Sequence, residues 1–379
     1  MKLINNSNTI YAACSATLEN RNKYWPSFSR TANRTFAGDK LFRWDLDSDT
    51  VTELEIVGLP GPDNAEHRSF HGIDINTLPD GSLSIYAINH LRNASVIDKF
   101  HHDPATARAV HVRRIPATGA PHPNALFALP EKDADDAFFV TNDHHYADGW
   151  LRVVEEVGRL PWAWVAYYDA TVGWKRVLDS LAGTNGIAGD KLADASGLRQ
   201  LYVSEILAGV VRVLTLEMVE VQRLPVRMLG DNLGRYGDDL YIAGLARPLH
   251  LYSYLRDPDR AHAPGMLVKR LNTKQIGGGF FGGDFTVDPV LEELLVDPMG
   301  VLGNVSTTAL FKPYPVEPRP MVDGEEDDEE AVVHEPRERP KGDLYVTGLT
   351  FKGGVFFFVL ETVLRTDEHT GILKCTEID

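Results

Sequence analysis

Asn185-Gly186-Ile187, then a polar turn, then Leu201-Tyr202-Val203-Ser204: this stretch sets the pattern by which the whole chain is read. A small polar motif opens it, and an apolar run of strand length closes it. The order recurs. His71-Gly72-Ile73 leads to the run at 84–88, Pro123-Asn124-Ala125-Leu126 to 137–141, Asp231-Asn232-Leu233 to 239–243, and Asn304-Val305-Ser306 to 343–347. With His71, Asn124, Asn185, Asn232 and Asn304 as markers, the spacings are 53, 61, 47 and 72 residues. Strand-built repeats of this size are propeller blades. Five are visible, and the chain before His71 has room for one more. The expectation is an all-β fold, a six-bladed β-propeller forming a single domain over residues 1–379.

Further strand-length apolar runs at 9–14, 40–44, 164–168, 210–214 and 249–254 fit the same architecture, with turn clusters such as Leu78-Pro-Asp-Gly-Ser82 between runs. One short helix is expected near the channel mouth, because Trp150, Val153, Val154 and Val157 follow helical spacing with Arg152, Glu155 and Glu156 between them. Its apolar side either packs on the propeller or forms a lid; weak membrane or lipid contact through 150–160 is the other reading. The stretch 323–330 holds seven acidic residues and one glycine, flanked by prolines. It is expected to be a disordered insertion at about 315–341 within the last blade. Gly277-Gly-Gly-Phe-Phe-Gly-Gly283 lacks the strand-then-helix context of a phosphate loop and reads as a connection.

Composition narrows the class. The net charge of −16 and the absence of a basic stripe argue against nucleic acid. The hydrophobic share of 43% is that of a globular protein. There is no run of 18 apolar residues, and the first residues lack the apolar region of a signal peptide. Sequons at Asn5, Asn33, Asn93 and Asn304 admit N-glycosylation. Cys14 and Cys375 are either separate buried thiols or a bond joining the first and last blades.

In a propeller the innermost strand of each blade lines a central channel, so polar residues at equivalent positions converge from distant sequence. Asparagine and aspartate oxygens are hard ligands suited to calcium. Each also favours turns on its own account. Several at matching positions favour the site.

The segments Phe70-His-Gly-Ile73, Ile88-Asn-His90, Thr141-Asn-Asp-His-His-Tyr146, Asn185-Gly-Ile187, Leu201-Tyr-Val-Ser-Glu205 and Gly230-Asp-Asn232 occur in that order. Together with Trp162-Ala-Trp-Val-Ala-Tyr-Tyr168 they resemble the serum paraoxonase/arylesterase family, over roughly residues 9–351. The resemblance implies a calcium-dependent hydrolase of lactones and aryl esters with two calcium ions in the channel. It places Asn142, Asn185, Asp231 and Asn232 on a catalytic ion, and Asp143 and the main-chain oxygen of Ile73 on a structural ion. It makes His71 and His90 a catalytic dyad, with His71 taking a proton from water and His90 supporting it. His144 and His145 stand beside the ligands. The chemistry agrees: a cation can polarise a carbonyl, and imidazole is the base suited to neutral pH. Neither a G-x-S-x-G elbow nor an H-E-x-x-H zinc motif is present. The family is typically secreted or in the secretory pathway.

The chain departs from the family at four places. Aligning its first strand puts Met1 and Lys2 where the family has an adjacent Glu-Asp pair, so each ion lacks one acidic ligand. Leu245 stands where the family has a histidine, and Gly183 where an aromatic is usual. The stretch after Val355 also fits poorly. Either the chain is truncated at its start, or it is a divergent member, at the limit a non-catalytic binding scaffold.

Overall fold

The computed structural model describes residues 1–4, 8–14, 38–60, 68–91, 94–193, 199–247, 250, 264–276, 289–297, 308–313, 342–347, 355–360 and 371–373. Among these, the strands form six antiparallel four-stranded sheets, the blades of a propeller. The first comprises β1 (Lys2–Ile4), β2 (Thr9–Cys14), β3 (Lys40–Asp45) and β4 (Thr50–Val57). The second comprises β5 (Phe70–Thr77), β6 (Leu83–His90), β7 (Ser95–His102) and β8 (Arg108–Pro116). The third is β9 (Pro123–Ala128), β10 (Phe138–Asn142), β11 (Ala163–Asp169) and β12 (Gly173–Leu181). The fourth is β13 (Thr184–Gly189), β14 (Gln200–Glu205), β15 (Val210–Thr215) and β16 (Glu220–Pro225). The fifth is β17 (Leu229–Tyr236), β18 (Asp239–Leu245), β19 (Met266–Asn272) and β20 (Leu291–Asp297). The sixth is β21 (Thr308–Pro313), β22 (Gly342–Thr347), β23 (Val355–Leu360) and β24 (Gly371–Leu373). At their outer edges β4 and β8 pair in parallel, Glu55–Val57 against Arg108–Val110, and fuse the first two blades into one eight-stranded sheet.

Alternation along each second strand explains how blades stack. On β6, Ile85 and Ala87 enter a core shared with Tyr11, Leu41 and Leu54 of the first blade. Tyr86 and Ile88 between them enter the core shared with Leu126 and Phe138 of the third. Leu201 and Val203 on β14 likewise face the third blade while Tyr202 faces the fifth, and on β18 Tyr241 faces the sixth. A strand buried on both faces reads as a continuous apolar run, which is why these segments stood out in the sequence. Outer strands such as β8 alternate between exposed and buried residues instead. The first strands β5, β9, β13, β17 and β21 pack against one another in succession around the axis.

The helix is α1 (Gly149–Val157). Its polarity is inverted relative to the reading in which the apolar side packs inward. Arg152 and Glu155 are buried, whereas Trp150 and Val157 are 72% and 76% exposed. Glu155 accepts hydrogen bonds from the backbone N–H groups of His145 and Tyr146, and Arg152 pairs with Glu156. These fixed polar contacts outweigh burial of the apolar stripe. No helix among the described residues is long and apolar enough to cross a membrane. The acidic stretch 315–341, the four sequons, Cys375, the Asn304 marker, the 277–283 segment and most of 249–254 lie outside the described residues. Cys14 is buried at the end of β2.

Candidate functional site

The first strands of four consecutive blades share one distortion. On β5 the register runs Phe70 to Asn89 and then Ile73 to Ala87, so His71 and Gly72 together oppose Ile88. On β9 Asn124 and Ala125 oppose Thr141; on β13 Asn185 and Gly186 oppose Ser204; on β17 Asp231 and Asn232 oppose Ala243. Each is a bulge, two residues against one, and a bulge re-aims a side chain that the pleat would otherwise alternate away. His71, Asn124, Asn185 and Asp231 therefore hold equivalent positions. The sequence markers matched three of these and missed the fourth by one residue, since Asn232 occupies the second bulge position.

Two glycines allow the bulges to approach. A Cβ on Gly186 would lie 2.6 Å from the Asp231 carbonyl oxygen, and one on Gly72 would lie 2.6 Å from that of Asn124. Hydroxyls then tie neighbouring blades together. Thr141 donates to the Asn185 carbonyl at 2.6 Å, Thr184 to the Asn142 carbonyl at 2.7 Å, and Ser204 to the Gly230 carbonyl at 2.6 Å. These braces were not read from the sequence; threonine and serine at strand ends carry no signal of their own.

Polar atoms at the bulges lack what burial normally demands. Asn124 Oδ1 and Asn185 Oδ1 are buried without a hydrogen-bond partner. Burial pushes the Asp231 carboxyl up to about 8, opposed only by a hydrogen bond from Asn185. Asn232 Nδ2 lies 3.5 Å from Asp231 Oδ1. Buried oxygens of this kind are met by water or a cation, and amide plus carboxylate oxygens are a donor set suited to calcium. Among the described residues no group of three or more His, Cys, Asp or Glu side chains forms a metal cage; the donors here are mostly amides.

Asn142 behaves differently from Asn124. It ends β10, a second strand, and its amide is engaged at both ends: Oδ1 accepts from His122 N at 2.8 Å and Nδ2 donates to His144 O at 2.7 Å. Asp143 is buried beside it. Burial alone would raise its carboxyl, but His144, Arg152 and His122 hold it well below the usual carboxylate range. The His144 ring lies between Asp143 and Glu156, at 3.2 and 3.4 Å. Ile73 follows the β5 bulge with its side chain in the core between the first two blades. Met1 packs beside Ile10 and Trp44, and Lys2 pairs with Asp74 at 3.4 Å. Gly183 has a φ of +63° with Leu207 against it, and Leu245 is buried on β18.

His71 and His90 meet as the sequence spacing suggested, from adjacent strands of one blade. His71 Nδ1 is 3.1 Å from His90 Nε2, and His90 Nδ1 is 2.9 Å from Ser95 Oγ. The Ser95 hydroxyl in turn reaches the Pro121 carbonyl at 3.3 Å.

The propeller thus presents a histidine pair from β5 and β6, and amide and carboxylate oxygens from the bulges of β9, β13 and β17. The Arylesterase family model matches residues 25–273, and the chain belongs to that family. It is 26% identical over 248 residues to serum paraoxonase/arylesterase 2 of Rattus norvegicus, covering 62% of this chain and 65% of that protein. It is 25% identical over 242 residues to serum paraoxonase/arylesterase 1 of Mus musculus, covering 61% of this chain and 63% of the relative. The matches thus span somewhat under two thirds of these relatives. Among solved structures, a luciferin-regenerating enzyme overlaps with a TM-score of 0.43 at 11% identity, covering 92% of this chain and 82% of that one. A gluconolactonase from Xanthomonas campestris overlaps with a TM-score of 0.37 at 13% identity, covering 82% and 79%. Overlaps this low carry no weight for function.

Proposed function

We propose that the chain is a calcium-dependent hydrolase of lactones and aryl esters. The observation that carries this reading is the His71–His90 hydrogen bond at 3.1 Å, on a bulge equivalent to those presenting Asn124, Asn185 and Asp231. Membership of the arylesterase family supports it.

The hydrogen-bond chain supports one set of proton positions. With the Ser95 hydroxyl donating to Pro121, His90 Nδ1 donates to Ser95, and His90 Nε2 accepts from His71 Nδ1. His71 then carries its lone pair on Nε2, the tautomer a general base needs. His71 takes a proton from water, which attacks the substrate carbonyl, and His90 shares the resulting charge. Asn124, Asn185, Asp231 and Asn232 would hold the calcium ion. When bound, calcium polarises the carbonyl and stabilises negative charge on its oxygen. Asn142, by this reading, braces the loop from His122 to His144 rather than ligating.

A non-catalytic scaffold is the second reading, favoured by Met1 and Lys2 at the aligned Glu-Asp positions. Phenyl acetate and γ-lactone turnover, measured with and without chelation, separates the two. Turnover lost with EDTA and restored by calcium is expected. No turnover, together with no calcium binding below millimolar by calorimetry, selects the scaffold.

A further inference from the structure

Asp74 and Asn76 share one face of β5, about 10 Å beyond the His71 bulge for Asp74 at strand rise. Lys191, two residues past the end of β13, sends its Nζ to them. It lies 2.6 Å from Asp74 Oδ2, 2.9 Å from Asn76 Oδ1 and 2.7 Å from the carbonyl oxygen of Ala128, the last residue of β9. Lys2 Nζ, on β1, lies 3.4 Å from the other oxygen of Asp74. Four successive blades thus meet in one knot around a carboxylate that is 3% exposed.

Three oxygens converging from two first strands form a cradle for a hard cation, and here an ammonium fills it. Its three N–H donors match the three acceptors, so the cradle is saturated. The charges leave no room for a divalent ion either: one carboxylate faces two ammonium groups, a local net charge of +1.

The resemblance implies a second, structural ion in this channel, and its ligand set is incomplete here. Lys2 stands where alignment calls for a carboxylate, and its ammonium points to Asp74 instead. Of the second bulge positions, Gly72, Ala125, Gly186 and Asn232, only Asn232 has a side chain that can ligate. Asp143 faces His144 through Oδ2 at 3.2 Å and its Oδ1 is buried without a hydrogen-bond partner, one free oxygen where a calcium ion takes six to eight. We infer that this chain binds a single calcium ion, and that the ammonium of Lys191 is its built-in second cation, joining four blades in the channel. The inference rests on the calcium reading of the bulge site.

Metal analysis and calorimetry on the full chain test both statements separately. One calcium per chain is expected. Two per chain overturns the inference and leaves the calcium reading intact; none overturns the calcium reading itself. Lys191→Met, followed by thermal unfolding, addresses the ammonium. The variant should lose about 5–10 °C in Tm at low calcium, and millimolar calcium should restore most of that loss while barely moving the wild type. An unchanged Tm, or a loss that calcium does not offset, overturns the role of Lys191. Should Lys191→Met fail to fold, Lys191→Gln, which keeps one donor in the cradle, is read in the same way.

Discussion

His71 Nδ1 lies 3.1 Å from His90 Nε2, so the two rings form a chain in which the proposed function makes His71 the base. If His71 is that base, His71→Gln lowers kcat by about 10²–10⁴-fold, the usual contribution of a positioned base, with little change in KM. His90→Gln costs less, because it removes orientation and charge sharing but not the base. Ser95→Ala costs least and also moves the acid limb of the pH–rate profile, since it frees the His90 tautomer. Equal effects from all three changes on an aryl ester would contradict this order.

Asn124 and Asn142 offer a test of binding against bracing. Asn124→Leu removes an amide oxygen that is buried without a partner, so the calcium-free protein keeps its stability. Calcium affinity should fall about tenfold or more, or about 1.4 kcal/mol. Asn142→Leu strands the His122 N–H and the His144 carbonyl, and should cost about 1–3 kcal/mol even without calcium. Calcium calorimetry beside urea unfolding of the chelated protein reads both; the reverse pattern would return Asn142 to the ligand set.

Gly186→Ala probes the approach of neighbouring blades. The added methyl meets the Asp231 carbonyl oxygen and the Asn232 Cα within 2.7 Å, both backbone and unable to swing aside. Overpacking of this kind costs about 1–3 kcal/mol. Because the displaced residues are the ones proposed to ligate, calcium affinity should fall alongside Tm. Gly209→Ala, whose Cβ meets nothing closer than 3.5 Å but whose φ is +67°, serves as a control that lowers Tm alone.

The blades were legible because their second strands are buried on both faces and read as apolar runs. Residues 84–88, 201–204 and 239–243 all fall inside β6, β14 and β18. The site was legible in part. His71 and His90 could be paired from strand spacing, Asn185 from the repeat, and Asp231 only as the neighbour of the Asn232 marker. Asn124 was visible as a marker, and the Thr141-Asn-Asp-His run offered Asn142. Only strand register separates them: Asn124 lies in a first-strand bulge and Asn142 on a second strand. The orientation of α1 was not legible, because helical spacing shows that a stripe exists and not which side the fold buries. The tether from Glu155 to the His145 and Tyr146 amides decides that, and it depends on a loop whose path the sequence does not state.

The exposed stripe of α1 makes a surface prediction. Trp150, Val153, Val154 and Val157 face outward beside a loop that begins at Asp143, with Trp162 38% exposed nearby. An amphipathic helix of this kind binds a lipid interface through its apolar side. The net charge of −16 disfavours anionic lipid, so zwitterionic vesicles are the suitable probe. Wild-type protein should cosediment with phosphatidylcholine vesicles, and Trp150→Ser/Val157→Ser should not. Equal behaviour of the two proteins would assign the stripe to substrate entry or to another protein surface.

Acid stability should be traceable to Asp133, far from the proposed chemistry. Its carboxylate accepts from Asn76 Nδ2 at 2.9 Å, Ser84 Oγ at 2.8 Å, Tyr86 OH at 3.0 Å and Lys99 Nζ at 2.8 Å. Lys99 also reaches Asp136, which Arg113 pairs from the other side. Burial raises the Asp133 carboxyl, but the bonds from Lys99, Asn76 and Ser84 outweigh it and hold the group below its ordinary value. A carboxyl whose folded pKa lies below its unfolded one, near 3.9 in model peptides, binds more protons when unfolded. It therefore contributes stability that is complete above about pH 5 and fades as pH falls through the folded value. Asp133→Asn should be less stable than wild type by about 1–3 kcal/mol at pH 7, because four donors face a weaker acceptor. The gap should narrow below about pH 4, where wild-type Asp133 is itself being protonated. Urea unfolding of both proteins across that range is the measurement, and a gap independent of pH would mean that Asp133 acts through shape rather than charge.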